Sequence, residues 1–145
     1  MNLKLKLLRE GAWVPTYGTD GSAAADIYAC LDAPITIMPG ETALIPTGFA
    51  AAIPAGYVGL IFARSGMATK LGIAPANKVS VIDSDYRGEF LVPLYNHGAV
   101  PQTIEHGLRI AQLAIMPVVQ VDFEVCDELD ETQRGTGGFG STGSK

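Results

Sequence analysis

Leucine alternates with lysine near the start of the chain, where Leu3, Leu5 and Leu7 are set between Lys4 and Lys6. Successive strand residues point to opposite faces, so this period of two predicts a half-buried strand. Short apolar segments follow at Ile35–Met38, Thr42–Ile45, Phe49–Ile53, Tyr57–Phe62, Val79–Ile82, Phe90–Tyr95, Arg109–Met116 and Val118–Val125. Between them stand Pro39-Gly40, Pro54-Ala55-Gly56 and Asn96-His97-Gly98, residues whose backbone preferences favour tight turns. Many short strands separated by turns predict an all-β sandwich or barrel. No long segment carries an apolar stripe at 3.6-residue spacing. One short helix is predicted from Ser65 to Leu71, with Ser65 placed to cap it and Gly72 to end it.

The pattern changes after Cys126, first to acidic and polar residues and then to a glycine-rich end with five glycines between Gly135 and Gly143. Each glycine loses much backbone entropy on ordering, so this stretch is expected to stay mobile until something binds it. The chain is therefore read as one β-barrel domain, residues 1–126, and a mobile tail, residues 127–145, able to act as a lid. Charged residues form 17% of the 145-residue chain and apolar residues 48%. A soluble protein averages about 25% charged, so the difference suggests additional buried surface such as a subunit interface.

A net charge of -5 disfavours a binder of nucleic-acid backbones, which depends on many lysine and arginine contacts. A small anion would need local arginines, backbone N–H groups or a metal ion. No apolar run approaches the roughly 18 residues that span a bilayer, and the Leu-Lys alternation at the start is unlike a signal peptide. A soluble chain in the cytoplasm or another intracellular compartment, without membrane attachment, is expected. Cys30 and Cys126 lack metal-ligand spacing and are both read as core thiols.

Three segments could carry chemistry. Ala63-Arg64-Ser65-Gly66 joins a strand to the short helix, where a cation and helix N–H groups could receive an anion. Val81-Ile82-Asp83-Ser84-Asp85-Tyr86-Arg87-Gly88 places carboxylates and a tyrosine at a strand end, where an ionised carboxylate could orient and deprotonate water. Each is also compatible with an ordinary polar turn. The tail spells G-x-G-x-x-G from Gly135 to Gly140, but a dinucleotide fingerprint must follow a strand and open a helix. What remains is Arg134, Phe139 and flexible amides, suited to covering phosphates and stacking on a base. His97 and His106 have no zinc-site spacing, and no G-x-S-x-G elbow supports a nucleophilic serine.

In order and spacing these segments resemble the five motifs of the trimeric dUTPase family. Ser22 to Ala29 is similar to the first motif, Ala63 to Gly66 to the second and Asn77 to Gly88 to the third. Gly107 to Leu113 is similar to the fourth and Arg134 to Gly143 to the fifth. The resemblance implies a jelly-roll β-barrel and a homotrimer whose shared sites are closed by the tail of a neighbouring subunit. It implies hydrolysis of dUTP to dUMP and pyrophosphate, which limits uracil incorporation into DNA and supplies dUMP for thymidylate synthesis. Asp83 would activate the attacking water, Tyr86 would pack on the deoxyribose, and Asn77 and Val81 would lie in the uracil-binding segment. Arg64, Ser65, Gly66 and Gln112 would contact phosphates, Arg134 would bind the γ-phosphate, and Phe139 with Gly140 would cover the base. Asp26 would stand near the water shell of a Mg2+ ion held mainly by the substrate phosphates, with no direct protein ligand.

Four positions depart from the commonest pattern of that family: Ala24 and Ser80 replace glycines, Lys78 lies inside the uracil hairpin and Leu108 replaces an aspartate. Ala24 and Ser80 therefore require backbone angles that accept a Cβ atom. Two alternatives stand beside the hydrolase reading. The related deoxycytidine triphosphate deaminases share the barrel but usually lack the arginine-phenylalanine-glycine tail. A nucleotide-binding regulator without turnover would have no use for a water-activating carboxylate.

Overall fold

The structure, a computed structural model, describes residues 1–138. Its strands are β1 (Lys4–Leu7), β2 (Ala25–Tyr28), β3 (Ile35–Ile37), β4 (Thr42–Pro46), β5 (Phe49–Ala52) and β6 (Tyr57–Phe62). After a helical turn at Met67–Leu71 come β7 (Ile73–Pro75), β8 (Ser80–Ile82), β9 (Leu91–Asn96), β10 (Gln102–Ile104) and β11 (Arg109–Pro117). All ladders are antiparallel: β2-β11-β6-β8 form one sheet, β4-β9-β7 a second, and β1-β5 and β3-β10 are pairs. The fold is all-β and of jelly-roll type, as the turn-punctuated pattern predicts.

Alternating residues of these strands meet in one core. Ile27, Ile45, Phe49, Ile61, Phe90 and Leu94 are fully enclosed, and the Phe49 and Phe90 rings pack with centroids 5.0 Å apart. A buried polar group needs partners to offset its lost hydration, and Asn96 has them. Its amide donates to the carbonyls of Ile37 at 2.9 Å and Val100 at 2.8 Å and accepts from the Gly98 N–H at 2.9 Å.

Several local readings need correction. The strand expected at Val118–Val125 is not formed: regular structure stops at Pro117, and Phe123 and Val125 are 93% and 97% exposed. The alternation is present in the sequence, but a strand also needs a ladder partner, and among the described residues no strand pairs with it. Conversely β2, β7 and β10 lie outside the apolar segments: each is only three or four residues long, β2 and β10 carry polar residues, and β7 ends in a proline. The helix is a single wide turn ending at Gly72, which takes the left-handed conformation at φ 67°, and no side chain caps its start. Cys126 is exposed rather than a core thiol; Cys30 is buried, and desolvation raises its thiol pKa. Among the described residues no helix is long and apolar enough to cross a membrane.

Ala24 and Ser80 both keep negative-φ backbone, so their Cβ atoms cause no conflict. Lys78 is the single non-glycine residue at positive φ, 66°, among the described residues. Every L side chain resists this region, so the hairpin before β8 stores some strain at that point.

Candidate active site

One group of candidate residues follows the free edge of β8. Among the described residues this strand pairs only with β6, where Ser80 faces Ile61 and Ile82 faces Gly59, so its other edge presents unpaired backbone groups. A groove of about 180 Å³ beside it is lined by Val81, Ile82, Asp83, Tyr86, Glu89 and Leu91. Asp83 leaves the end of β8 exposed to solvent, and its carboxylate has no hydrogen-bond or ion-pair partner among the described residues. The Asp83 carbonyl accepts the Tyr86 N–H at 3.2 Å, closing the turn that swings the tyrosine back over the groove.

The phenol of Tyr86 donates to the Glu89 carbonyl at 3.0 Å, and its ring lies across Gly88. A Cβ atom on Gly88 would come within 2.3 Å of the Tyr86 hydroxyl. The glycine is therefore required by the tyrosine's position. At the other end of β8, Asn77 is exposed, and its amide pairs with the buried Ser80 hydroxyl.

A second group lies at the opposite edge of the same sheet. Asp26 of β2 faces Gln112 of β11, which in turn faces Phe62 of β6. Residues directly opposite one another on antiparallel strands share a face, so Asp26 and Gln112 look out together. They border an open cavity of about 480 Å³ with Ser22, Ala23 and Ala24. Asp26 accepts from Arg64 Nε at 2.8 Å and from an Arg109 guanidinium N–H at 3.2 Å. Arg64 also donates to the Arg109 carbonyl at 3.3 Å, and Gln112 donates to the Ala63 carbonyl at 2.8 Å. These bonds fix the turn leading to Ser65 and Gly66, both exposed.

One carboxylate against two guanidiniums leaves this corner net positive on a chain of charge -5. Arg64 still has free N–H donors after its two bonds. A single helical turn contributes little dipole, so attraction for an anion rests on the arginines rather than on a helix end.

Asp26 and Asp83 belong to strands three spacings apart, about 14 Å, and Arg64 leaves β6 at the end opposite Asp83, since Gly59 pairs with Ile82 and Ile61 with Ser80. Arg134 joins neither: it donates to the Gly137 carbonyl at 2.9 Å within the tail. Phe139 and Gly140 lie outside the described residues. Among the described residues no group of three or more His, Cys, Asp or Glu side chains is arranged to hold a metal.

The histidines serve backbone groups: His106 accepts the Leu31 N–H, and His97 pairs with the Ala68 carbonyl. Sequence reasoning missed Arg109, although a cation opening a strand beside Gly107 was a signal. It also missed Glu89, which bonds the Gly48 N–H at 2.7 Å and pairs with Arg9. A lone glutamate in a loop offered nothing to single it out.

The family model described as dUTPase matches residues 10–143. The chain is 52% identical over 133 residues to a deoxyuridine 5'-triphosphate nucleotidohydrolase of Hahella chejuensis, covering 91% of this chain and 88% of that one. It is 49% identical to the protein of the same name from Burkholderia cenocepacia, over 99% of both. Among solved structures it is similar to a dUTPase variant of Staphylococcus bacteriophage 80alpha with dUpNHpp, at a TM-score of 0.91 and 28% identity over 98% of both chains. It is also similar to a mutant dUTPase from phage phi11 of S. aureus, a structure described as revealing the coordination of a structural Mg(II) ion. That match has a TM-score of 0.82 and 25% identity and covers 90% of this chain and 100% of the other. With a family model spanning nearly all of it and relatives at half identity along its length, the chain belongs to the dUTPase family.

Proposed function

We propose that this chain is a dUTP diphosphatase, converting dUTP and water to dUMP and pyrophosphate at sites shared between the subunits of a homotrimer. The observation that carries the reading is the pair of half-sites on opposite sheet edges: a free carboxylate and tyrosine beside β8, and an arginine-rich anion corner beside β2. Neither half suffices alone, and a neighbouring copy's β2 edge set against β8 joins them. The name shared by the relatives supplies the substrate. The unpaired alternation of Val119, Val121, Phe123 and Val125 suits a segment that is covered in the assembly.

In this reading the open β8 edge and Asn77 receive the uracil, with Val81 beside it, and Tyr86 packs on the deoxyribose. Arg64, Ser65, Gly66 and Gln112 hold the phosphates of the same nucleotide. Gly66 has open space where a Cβ would stand, which leaves room for a phosphate close to the backbone. Asp83 accepts a proton from a water as its oxygen bonds the α-phosphorus. The bond from that phosphorus to the α,β-bridging oxygen breaks, and its electron pair leaves with pyrophosphate. In-line displacement of this kind depends on positioning and charge neutralisation.

Arg134 and the proposed base cover formed by Phe139 and Gly140 then close the site, with the tail supplied by a further subunit. The Asp26 carboxylate is held by two guanidiniums and keeps lone pairs for water, which suits a hydrated Mg2+ carried by the triphosphate. That ion, when bound, neutralises phosphate charge. The reaction removes dUTP before uracil reaches DNA and yields the dUMP that thymidylate synthesis consumes, which accords with an intracellular site of action.

Hydrolysis in 18O-labelled water tests the route: the label is expected in dUMP and none in pyrophosphate. Label in pyrophosphate would place attack at the β-phosphorus and remove Asp83 from its role. For Tyr86, Gly88→Ala is expected to raise KM for dUTP roughly tenfold, equivalent to about 1.4 kcal/mol, by displacing the ring. Unchanged steady-state constants in that variant would contradict the packing role.

A further inference from the structure

We propose that Ser80 is a positioning residue for pyrimidine recognition, its buried hydroxyl holding the exposed Asn77 carboxamide in one plane at the open edge of β8. The inference rests on the reading above that Asn77 meets the uracil. Ser80 is 6% exposed and anchored in the ladder opposite Ile61, whereas Asn77 stands in solvent. The Ser80 hydroxyl accepts from Asn77 Nδ2 at 3.0 Å and donates to Oδ1 at 3.2 Å, so one fixed oxygen engages both arms of the amide. No other side-chain hydrogen bond of Ser80 is formed among the described residues.

The terminal torsion of an asparagine is broad, and an exposed one samples many orientations. Ordering it only when the ligand arrives costs binding free energy, and ordering it beforehand removes that cost. The loop from Asn77 to Ser80 is closed by backbone as well: the Asn77 carbonyl accepts the Val79 N–H at 2.8 Å, and the Pro75 carbonyl accepts the Lys78 N–H at 3.0 Å. Lys78, at φ 66°, is the strained link that brings Asn77 back over Ser80.

With both bonds made, Ser80 occupies the edge between Nδ2 and Oδ1, and the amide retains its outward N–H and an outward lone pair on Oδ1, which diverge. The outward N–H, held in a set plane, suits a uracil carbonyl. Cytosine carries an amino group at C4 in place of that carbonyl, and there a second donor would oppose the first. Glycine, the commonest residue of the resembling motif at this position, could not make the contact. The hydroxyl fixes the amide plane and can serve either flip, so the effect expected is graded rather than absolute.

The test uses the full-length enzyme and the variants Ser80→Ala, Ser80→Gly, Asn77→Ala and the Ser80→Ala/Asn77→Ala double mutant. For each, kcat and KM are measured with dUTP and dCTP, and dUMP affinity and thermal melting are recorded. Both Ser80 variants are expected to raise KM for dUTP roughly 3- to 10-fold, the range of one lost hydrogen bond, with kcat within about twofold. Preference for dUTP over dCTP narrows in parallel, and dUMP binding weakens by the same factor. In the Asn77→Ala background the Ser80 change is expected to have no further effect.

Fully additive losses would show that Ser80 acts through the fold and would overturn the proposal. An effect of Asn77→Ala without any effect of either Ser80 variant would overturn it too, while leaving the uracil assignment standing. If Asn77→Ala itself left KM and dUMP affinity unchanged, the uracil assignment would fall and the inference with it. Ser80→Gly keeps the test open if the alanine variant folds poorly, because Ser80 has ordinary negative-φ backbone.

Discussion

Asp83→Asn is expected to lower kcat about 10²- to 10⁴-fold, the range contributed by a positioned general base. Affinity for a non-hydrolysable dUTP analogue is expected to stay within about threefold of the parent, because no described residue depends on the Asp83 carboxylate for a hydrogen bond or ion pair. Burst and steady-state kinetics together with calorimetric titration separate these effects. A variant that kept its kcat would show that another group activates the water. A variant that lost affinity and turnover equally would make Asp83 a binding residue instead.

The same substitution also examines how the site is assembled. In the proposed homotrimer Asp83 and Arg64 of one chain serve different sites, so neither Asp83→Asn nor Arg64→Ala assemblies would contain an intact site. When equal amounts of the two are unfolded and refolded together, a cyclic trimer that joins the β8 edge of one copy to the β2 edge of the next regains roughly a quarter of its sites. No recovery in a mixture that forms trimers would mean that each site is built by a single chain.

Removal of Arg134 to Lys145 is expected to reduce kcat/KM for dUTP by roughly 10²-fold or more, the cost of losing a charge-stabilising donor at the reacting phosphates. Stability should hardly change. The last strand ends at Pro117, and the hydrogen bonds of Arg134 remain within the tail. The melting temperature of the truncated protein and the mass of its assembly are therefore expected to match those of the parent. Unaltered activity would contradict the lid role. A loss of activity accompanied by unfolding would assign the tail to the fold, and the single change Arg134→Ala then separates charge from chain length.

The strands read most securely from sequence were those where apolar residues and flanking turns agree, such as Tyr57–Phe62 and the stretch from Thr42. Pattern reading failed where pairing decides the outcome. Val118 to Val125 has the alternation of a strand without a ladder partner among the described residues, and β10, only three residues long, owes its form to pairing with β3. For the site, chemistry-bearing residue types were legible in Arg64, Asp83 and Tyr86 because their segments follow strands. The separation of Asp83 from the Asp26–Arg64 cluster was not legible, since strand order is set by contacts between distant segments. The Asp26–Arg64–Arg109 cluster likewise joins three segments far apart in sequence, so the pairing of Arg109 emerged only with the register of β11 against β2.

A serine at position 80 read in sequence as a departure to be tolerated, and in the structure it acquires a partner. The same holds for Gly88, read in sequence as a turn glycine, whose lack of a side chain lets Tyr86 lie over it. Small residues gain meaning from what occupies the space around them, and linear sequence does not contain that information.

Selective pyrophosphate release from dUTP is checked by measuring that release from dUTP, dTTP, dCTP and UTP in turn, each with Mg2+ and with the ion chelated. Mg2+-dependent turnover of dUTP is expected, with kcat/KM for each of the other three lower by about 10²-fold or more, since a wrong base or sugar leaves polar groups unpaired or clashes. Equal turnover of all four nucleotides, or binding of dUTP with no release of pyrophosphate, would contradict it.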